Sequence, residues 1–249
     1  MDLRSICLLC AALSLAAPLP TLAADSPGQD DRSQAMSLLA QPEDSPNGSF
    51  TQPDERTSDV RPWDRGPRPG LLVGAGMFGE DALRIGVFER RKGKLVLLAS
   101  TQVESPDGMD HPWSVEVHLD LIRYELRPGE CGFGVRYHNS YNSTARFSDT
   151  EALYLYRLVG SELQLAFEAL TFSDGGDKSE NPEETEAQAT TASSYVVVLT
   201  KTLHDGFYDL LLRNGTTKAT RTFVWNGTSY AEQEYQSSKK PASRPHEKH

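Results

Sequence analysis

The chain has 249 residues, with 35 Asp and Glu against 25 Lys and Arg, and a formal net charge of −10 at pH 7. That balance excludes an ordinary nucleic-acid binder, which needs a basic footprint to neutralise phosphates. Two of the three cysteines, Cys7 and Cys10, fall in the N-terminal segment, and Cys131 alone cannot build a Cys-based zinc or iron–sulfur site.

The chain opens Met1-Asp2-Leu3-Arg4-Ser5, and an uncharged apolar run from Ile6 to Ala17 follows. The run has the length of a secretory h-region and falls short of the roughly 20 apolar residues that span a bilayer. Pro18 and Pro20 break any helix, and Thr21-Leu22-Ala23-Ala24 offers small residues to a peptidase. Residues 1–24 therefore read as a cleavable signal peptide, cut after Ala23 or Ala24, and the mature chain is expected in the periplasm or outside the cell. No later stretch is long and apolar enough for a membrane span. Cleavage removes Cys7 and Cys10, so Cys131 enters an oxidising space without an internal disulfide partner. Cys131 itself reads as a small residue at a strand start.

Residues 25–69 are rich in Asp, Ser, Pro, Gln and Gly and poor in large apolar side chains. A segment of that composition buries too little surface to offset its ordering entropy, so it reads as a disordered spacer. Within it, Met36-Ser37-Leu38-Leu39-Ala40 is expected to form a helical turn only on contact with a surface.

From residue 70 the texture changes to short apolar runs between turn residues, with no sustained helical period. Ala82–Arg90 is a strand, Lys92-Gly93-Lys94 turns it, and Leu95–Ala99 returns. Trp113–Leu119 and Phe133–His138 alternate apolar and polar residues, the pattern of strands with one buried face. Glu151–Leu158 turns at Gly160-Ser161 into Leu163–Glu168. Tyr195-Val196-Val197-Val198-Leu199 is apolar throughout, which predicts a strand covered on both faces. Phe207–Leu212 and Thr220–Trp225 follow, and Asn226-Gly227 signals a tight hairpin turn into Ser229–Glu232. Residues 173–193 are acidic and read as an exposed flexible loop; residues 236–249 are rich in Lys, Pro and His and read as a disordered tail.

The hairpins at 81–95 and 151–163 share an outline: an acidic residue, Ala-Leu, a strand, a Gly turn and a Leu-led return. The hairpin near Asn226 repeats it loosely. Such units build either an antiparallel β-sandwich folded from hairpins and meanders or a degenerate, partial β-propeller, and the chain is short for a propeller. The expected fold is thus an all-β antiparallel sandwich in a single domain over residues 70–235. His204–Leu211 faintly resembles the end of the calcium-loop repeats of integrin-type propellers, but Thr200, Lys201 and Thr202 stand where acidic ligands would be. A turn followed by a strand explains it without a cation.

No nucleophile elbow, Walker loop, dinucleotide fingerprint or zincin helix is present. Gly74-Ala75-Gly76 lacks both the third glycine and the following helix of a phosphate loop. Asp107, Asp110 and His111 make the densest polar loop and are candidate acid–base groups, with Glu151 as a further carboxylate. Pro106-Asp107-Gly108 is also what a plain turn requires. The loop from Asn139 to Thr144 is a candidate rim for a polar ligand. His118 and His138, on the polar faces of adjacent strands, are candidate metal ligands. The late aromatics Phe207, Tyr208, Phe223, Trp225, Tyr230 and Tyr235 fit either core packing or a sugar-stacking row. Asn47, Asn142, Asn214 and Asn226 each begin an Asn-x-Ser/Thr sequence, a glycan acceptor in a host that glycosylates.

These observations favour an exported, non-enzymatic binding module with no cofactor, whose partner is an extracytoplasmic protein or glycan. The alternatives are an extracytoplasmic hydrolase with carboxylates assembled from loops and a metal-binding envelope protein. N-terminal sequencing of the exported protein should begin at Ala24 or Asp25; a first residue at Met1 would remove the signal-peptide reading.

Overall fold

The computed structural model describes residues 29–40, 53–79, 82–104, 114–177 and 192–233. The signal-like segment, Asp107, Asp110, His111, Asn47, Tyr235 and the tail lie outside the described residues.

The first sheet has four strands in the order β1 (Ser58–Pro62), β2 (Leu71–Phe78), β3 (Ala82–Arg91) and β4 (Lys94–Glu104), all antiparallel. Every residue of β2 is buried, because both faces of the sheet are covered. Leu71, Val73, Ala75 and Met77 join Leu83, Ile85 and Val87 of β3 in the core facing the second sheet. Leu72, Phe78, Ala82 and Phe88, one position out of phase, pack under α1 (Gln29–Leu39) on the outside.

Helix α1 fits there because the sheet is floored with glycine. Gly74 and Gly86 face each other across β2 and β3, with Gly76 beside them. A Cβ at Gly76 would stand 2.6 Å from Met36 Sδ, and one at Gly86 2.9 Å from Leu39 Cδ2. The glycines thus give up side chains so that Met36 and Leu39 can sit in a groove. Polar bonds fix the helix in it. Arg32 Nε donates to Ser58 Oγ at 3.0 Å, the Leu95 amide donates to Gln34 Oε1 at 3.1 Å, and Asp31 pairs with Arg90. Arg84 Nη1 donates to the Leu39 carbonyl at 3.3 Å, placing a cation at the helix C-terminus where the dipole favours it.

The second sheet has eight strands: β5 (Ser114–Arg127), β6 (Glu130–Asn142), β7 (Arg146–Val159), β8 (Glu162–Asp177), β9 (Ser193–His204), β10 (Phe207–Asn214), β11 (Thr220–Trp225) and β12 (Tyr230–Glu232). It does not stay one plane. β8 and β9 share only the pairs Phe172↔Ser194 and Ser173↔Ser193, and beyond them the sheet folds back on itself. Strand β7 shows the consequence. Tyr154 and Tyr156 point into the core shared with the first sheet, alongside Phe133 and Val135. Leu153 and Leu155 point the other way, into a second core with Tyr124, Leu126, Phe167, Leu210, Phe223 and Trp225. The layers run helix, β1–β4, β5–β8, β9–β12. The two sheets also meet at one edge, where the Val117 amide donates to the Arg56 carbonyl at 2.8 Å and the Leu119 amide to Asp59 Oδ2 at 2.9 Å.

The described residues therefore form an almost all-β body of two antiparallel sheets with one short helix and no closed barrel, consistent with an antiparallel sandwich and not with the alternative propeller arrangement. The ordered body starts before residue 70, however. Part of the stretch read as a spacer, 25–69, supplies α1 and β1. Its few apolar residues suffice because the glycine floor needs only Met36, Leu39 and Ala35 to fill it, and the turn expected at Met36–Ala40 finds its surface within the same chain. The acidic loop is shorter than expected at its start: Ser173–Asp177 belong to β8 and pair with Arg146–Thr150. Lys92-Gly93 and Asp205-Gly206 are two-residue turns with positive φ at both positions (50° and 80°; 51° and 81°), the geometry that matches strand twist. The calcium-like stretch at His204–Leu211 is thus a hairpin turn and a strand. Asn226-Gly227 lies in a four-residue loop closed by Trp225↔Tyr230 instead of the two-residue turn expected, and only Gly227 has positive φ there.

Phe133 is fully buried, with its ring 4.9 Å from that of Trp63. Phe133→Ala should lower the unfolding free energy by about 3–5 kcal/mol in denaturant titration, the range for emptying a packed aromatic site. A loss under about 1 kcal/mol would contradict this core assignment.

Candidate functional site

Sheet C-terminal strands β9–β12 cover only part of the outer face of β5–β8. Beyond their cover, the same face turns polar. Along β7 the positions that carry Leu153 and Leu155 continue outward as Glu151 and Asp149; along β6 they are Arg136 and His138; along β5 they are Asp120, His118 and Glu116. Register brings these residues together. His138 stands opposite both Glu116 and Glu151, and His118 stands opposite Arg136.

Arg136 is the hub. Its Nε and Nη2 reach Asp120 Oδ2 at 2.8 and 2.7 Å, and its Nη1 donates to Glu151 Oε1 at 2.6 Å. Thr171 Oγ1 donates to the same Glu151 oxygen at 2.6 Å, and Tyr124 OH donates to Asp120 Oδ2 at 2.9 Å. Burial works against the Arg136 charge, but Asp120 and Glu151 outweigh it and hold the guanidinium charged more firmly than usual. Burial, with Asp120 beside it, pushes the Tyr124 phenol up. Gly134 makes the hub possible: a Cβ there would stand 2.8 Å from Leu153 Cδ1 and 3.1 Å from Asp120 Cβ.

Around this hub the exposed groups also pair. Arg56 Nη2 bonds Glu116 Oε1 at 3.0 Å and Ser114 Oγ at 2.5 Å, and this guanidinium holds the Glu116 carboxyl below its ordinary range. His118 Nε2 is 3.5 Å from Glu116 Oε2, and His138 Nε2 pairs with Asp149. Each of these acids faces a cation or donor. The two histidines expected to converge do share one face, but each has taken its own carboxylate. Among the described residues, no group of three or more His, Cys, Asp or Glu could hold a metal ion. Glu151, the carboxylate named as a loose acid–base candidate, sits inside the Arg136 network. Asp107, Asp110 and His111 fall outside the described residues. Cys131 is a half-buried free thiol on β6 opposite Glu125.

Four of the late aromatics, Phe207, Phe223, Trp225 and Tyr230, are packing. Phe207 and Trp225 stack at 4.0 Å between centroids, Tyr230 meets Trp225 edge-on at 5.4 Å, and Phe223 meets Phe167 at 5.0 Å. Arg157 lies over the Phe207 ring at 4.9 Å, and its Nε is 2.7 Å from Glu130 Oε1, a contact ion pair without hydrogen-bond alignment. These four rings fill the second core in place of a sugar-stacking row, while Tyr208 is half-buried outside that core.

Three features escaped the sequence. His204 Nδ1 bonds the buried Asp209 at 2.6 Å across the β9–β10 turn, a pairing set by an irregular register that no spacing reveals. A cleft of about 320 Å³ at the end of α1 is lined by Leu38, Ala40, Arg84, Ser100, Thr101 and Gln102. The third is the outer face of β9–β11. Tyr195, Val197 and Leu199 pack inward on the second core. Val196 is 50% exposed, and Val198, Leu211 and Val224 are only partly covered. The strand predicted to be covered on both faces is covered on one.

Neither a protein-family model, nor a curated protein, nor a solved structure matches the chain. Among the described residues, no helix is long and apolar enough to cross a membrane.

Arg136→Met should cost about 3 kcal/mol, because the Asp120 side chain, 9% exposed, would keep its charge without a cation. Adding Asp120→Asn should restore part of the loss. Equal stability for the single variant and the wild type in denaturant titration would show that the hub is not what holds these strands.

Proposed function

We propose that the protein is an exported, non-enzymatic binding module that holds an extracytoplasmic protein against the outer face of β9–β11. The observation that carries this reading is the one-sided cover of β9. An antiparallel sheet facing water ordinarily alternates apolar-in and polar-out. Here the outward row sets Val198 beside Leu211 in register, with Val196 one step along the strand and Val224 on the next strand. Contiguous apolar surface of this kind marks an interaction face.

The chemistry points to a protein partner over a glycan. Sugar recognition stacks rings on exposed aromatics, and Phe207, Phe223, Trp225 and Tyr230 of these strands are turned inward. The edge of β9 supports the same choice. Among the described residues it pairs beyond Ser194 with β10 alone, which leaves the backbone groups of its other side for an added strand. The paired state of the charged shelf supports a non-enzymatic role, as does the leader-like N-terminus an extracytoplasmic one.

The test is a photo-crosslinking side chain placed at Val196 in the native host, with Ser161 on the distant β7–β8 turn as control. A discrete protein adduct from position 196 that is absent from 161 is the expected result. The same adduct pattern from both sites, or none from 196, would overturn the assignment of this face.

A further inference from the structure

Two of the Asn-x-Thr sequences are the same tripeptide, Asn-Gly-Thr, at 214–216 and 226–228. Asparagine followed by glycine is the chemically weakest form of a thermolabile residue, because glycine has no Cβ to shield its own amide nitrogen. That nitrogen can attack the preceding side-chain amide carbon. The two copies share their local sequence, so any difference in their fate comes from the fold.

The fold treats them differently at the attacking atom. The Gly215 amide donates to the Ser194 carbonyl at 2.7 Å, within the join of β9 and β10. Asn214 is half-buried as the last residue of β10, paired with Tyr195. Attack there must first break that bond and move a strand end. The Gly227 amide makes no hydrogen bond among the described residues. Gly227 sits in the exposed loop at φ 103°, a conformation that a side chain would strain.

The electrophile is prepared at both sites. Asn226 Oδ1 accepts from the Thr228 amide, the Thr228 hydroxyl and the Ser229 amide, each at 3.0 Å. Asn214 Oδ1 accepts from the Thr216 and Thr217 amides at 2.9 and 2.8 Å. Donors converging on a carbonyl oxygen polarise it and stabilise the negative charge that forms there under attack. Only at Asn226 does a polarised carbonyl face a nitrogen that is free to react.

We infer that Asn226 is a site of spontaneous backbone-assisted deamidation and that Asn214 is protected from it. The Gly227 nitrogen gives up its proton to solvent and bonds to the Asn226 side-chain carbon. The carbon–nitrogen bond of the side-chain amide breaks, and ammonia leaves with that proton count restored. The resulting five-membered imide is opened by water at one of its two carbonyls. Opening gives aspartate, or isoaspartate in which the chain runs through the former side chain. No electrons change hands, and water is the only co-reactant. Both products add a negative charge to the β11–β12 loop. The isoaspartyl product also lengthens the main chain by one carbon between Trp225 and Tyr230, which close the loop and fill the second core.

The test is peptide-level mass spectrometry of the full chain aged in mildly alkaline buffer, once folded and once in denaturant. Each site's folded rate is divided by its own rate in denaturant. Asn214 should be slowed by about tenfold or more on folding, the scale on which one well-made hydrogen bond shifts an opening equilibrium. Asn226 should keep most of its unfolded rate, and chromatographic separation should resolve an isoaspartyl form. A folded protein in which Asn214 converts as fast as Asn226, or in which Asn226 does not convert, overturns the inference.

Discussion

The structure depends on one constraint: the strands at its centre are buried on both faces. In β2 alternate residues serve two different cores, Leu71 and Val73 on one side, Leu72 and Phe78 on the other. In β7, Tyr154 and Tyr156 serve one core and Leu153 and Leu155 another. A strand of this kind cannot stand at a surface, so the chain must supply a third and a fourth layer. It does so with two devices. Helix α1 covers the first sheet, and the fold-back at β8 and β9 covers the second. Without a disulfide among the described residues, this layering is what gives a domain of modest size enough buried apolar surface.

Each covering layer requires a concession from the layer beneath. Under α1 the concession is glycine: Gly74, Gly76 and Gly86 weaken β2 and β3 as strands yet admit Met36 and Leu39 closely. Under β9–β12 the concession is polarity where the cover ends. The face of β5–β8 changes within two residues from Leu153 to Glu151, and Arg136 neutralises the carboxylates that border the apolar region. An ion pair in this half-buried position adds little net stability, but removing one partner is costly. The network is therefore best understood as the boundary of the second core.

The all-β antiparallel fold was legible because alternation and turn chemistry are local. Lys92-Gly93, Gly160-Ser161 and the Ala82 and Glu151 strands are where their residue types place them. What was not legible depended on long-range fit. Met36 and Leu39 look like an isolated apolar fragment until the glycines forty and more residues later are seen to face them. Gly74-Ala75-Gly76 looked like a broken phosphate loop for the same reason. The pairing of His204 with Asp209 requires a register shift between Tyr208 and Leu210 that sequence does not announce. For the shelf, the sequence indicated that His118 and His138 would share a face, and they do. It could not show that Glu116 and Asp149 would reach them first, since side-chain pairing is settled by register and reach.

The strand Tyr195–Leu199 carries the opposite lesson. Its continuous apolar pattern is the signature of two-sided burial, and β2 and β7 honour that signature with cover on both faces. In β9 only Tyr195, Val197 and Leu199 are covered, while Val196 stands half in water. The described body answers β2 and β7 with layers of its own, and β9 stands where the described layers end. Composition limits what the two segments nearest these strands in sequence can supply. Residues 178–191 contain no large apolar side chain, and residues 234–249 contain a single tyrosine. Neither segment carries the apolar surface to match Val196, Val198, Leu211 and Val224. The partner we propose is therefore placed on this face and not on the charged shelf.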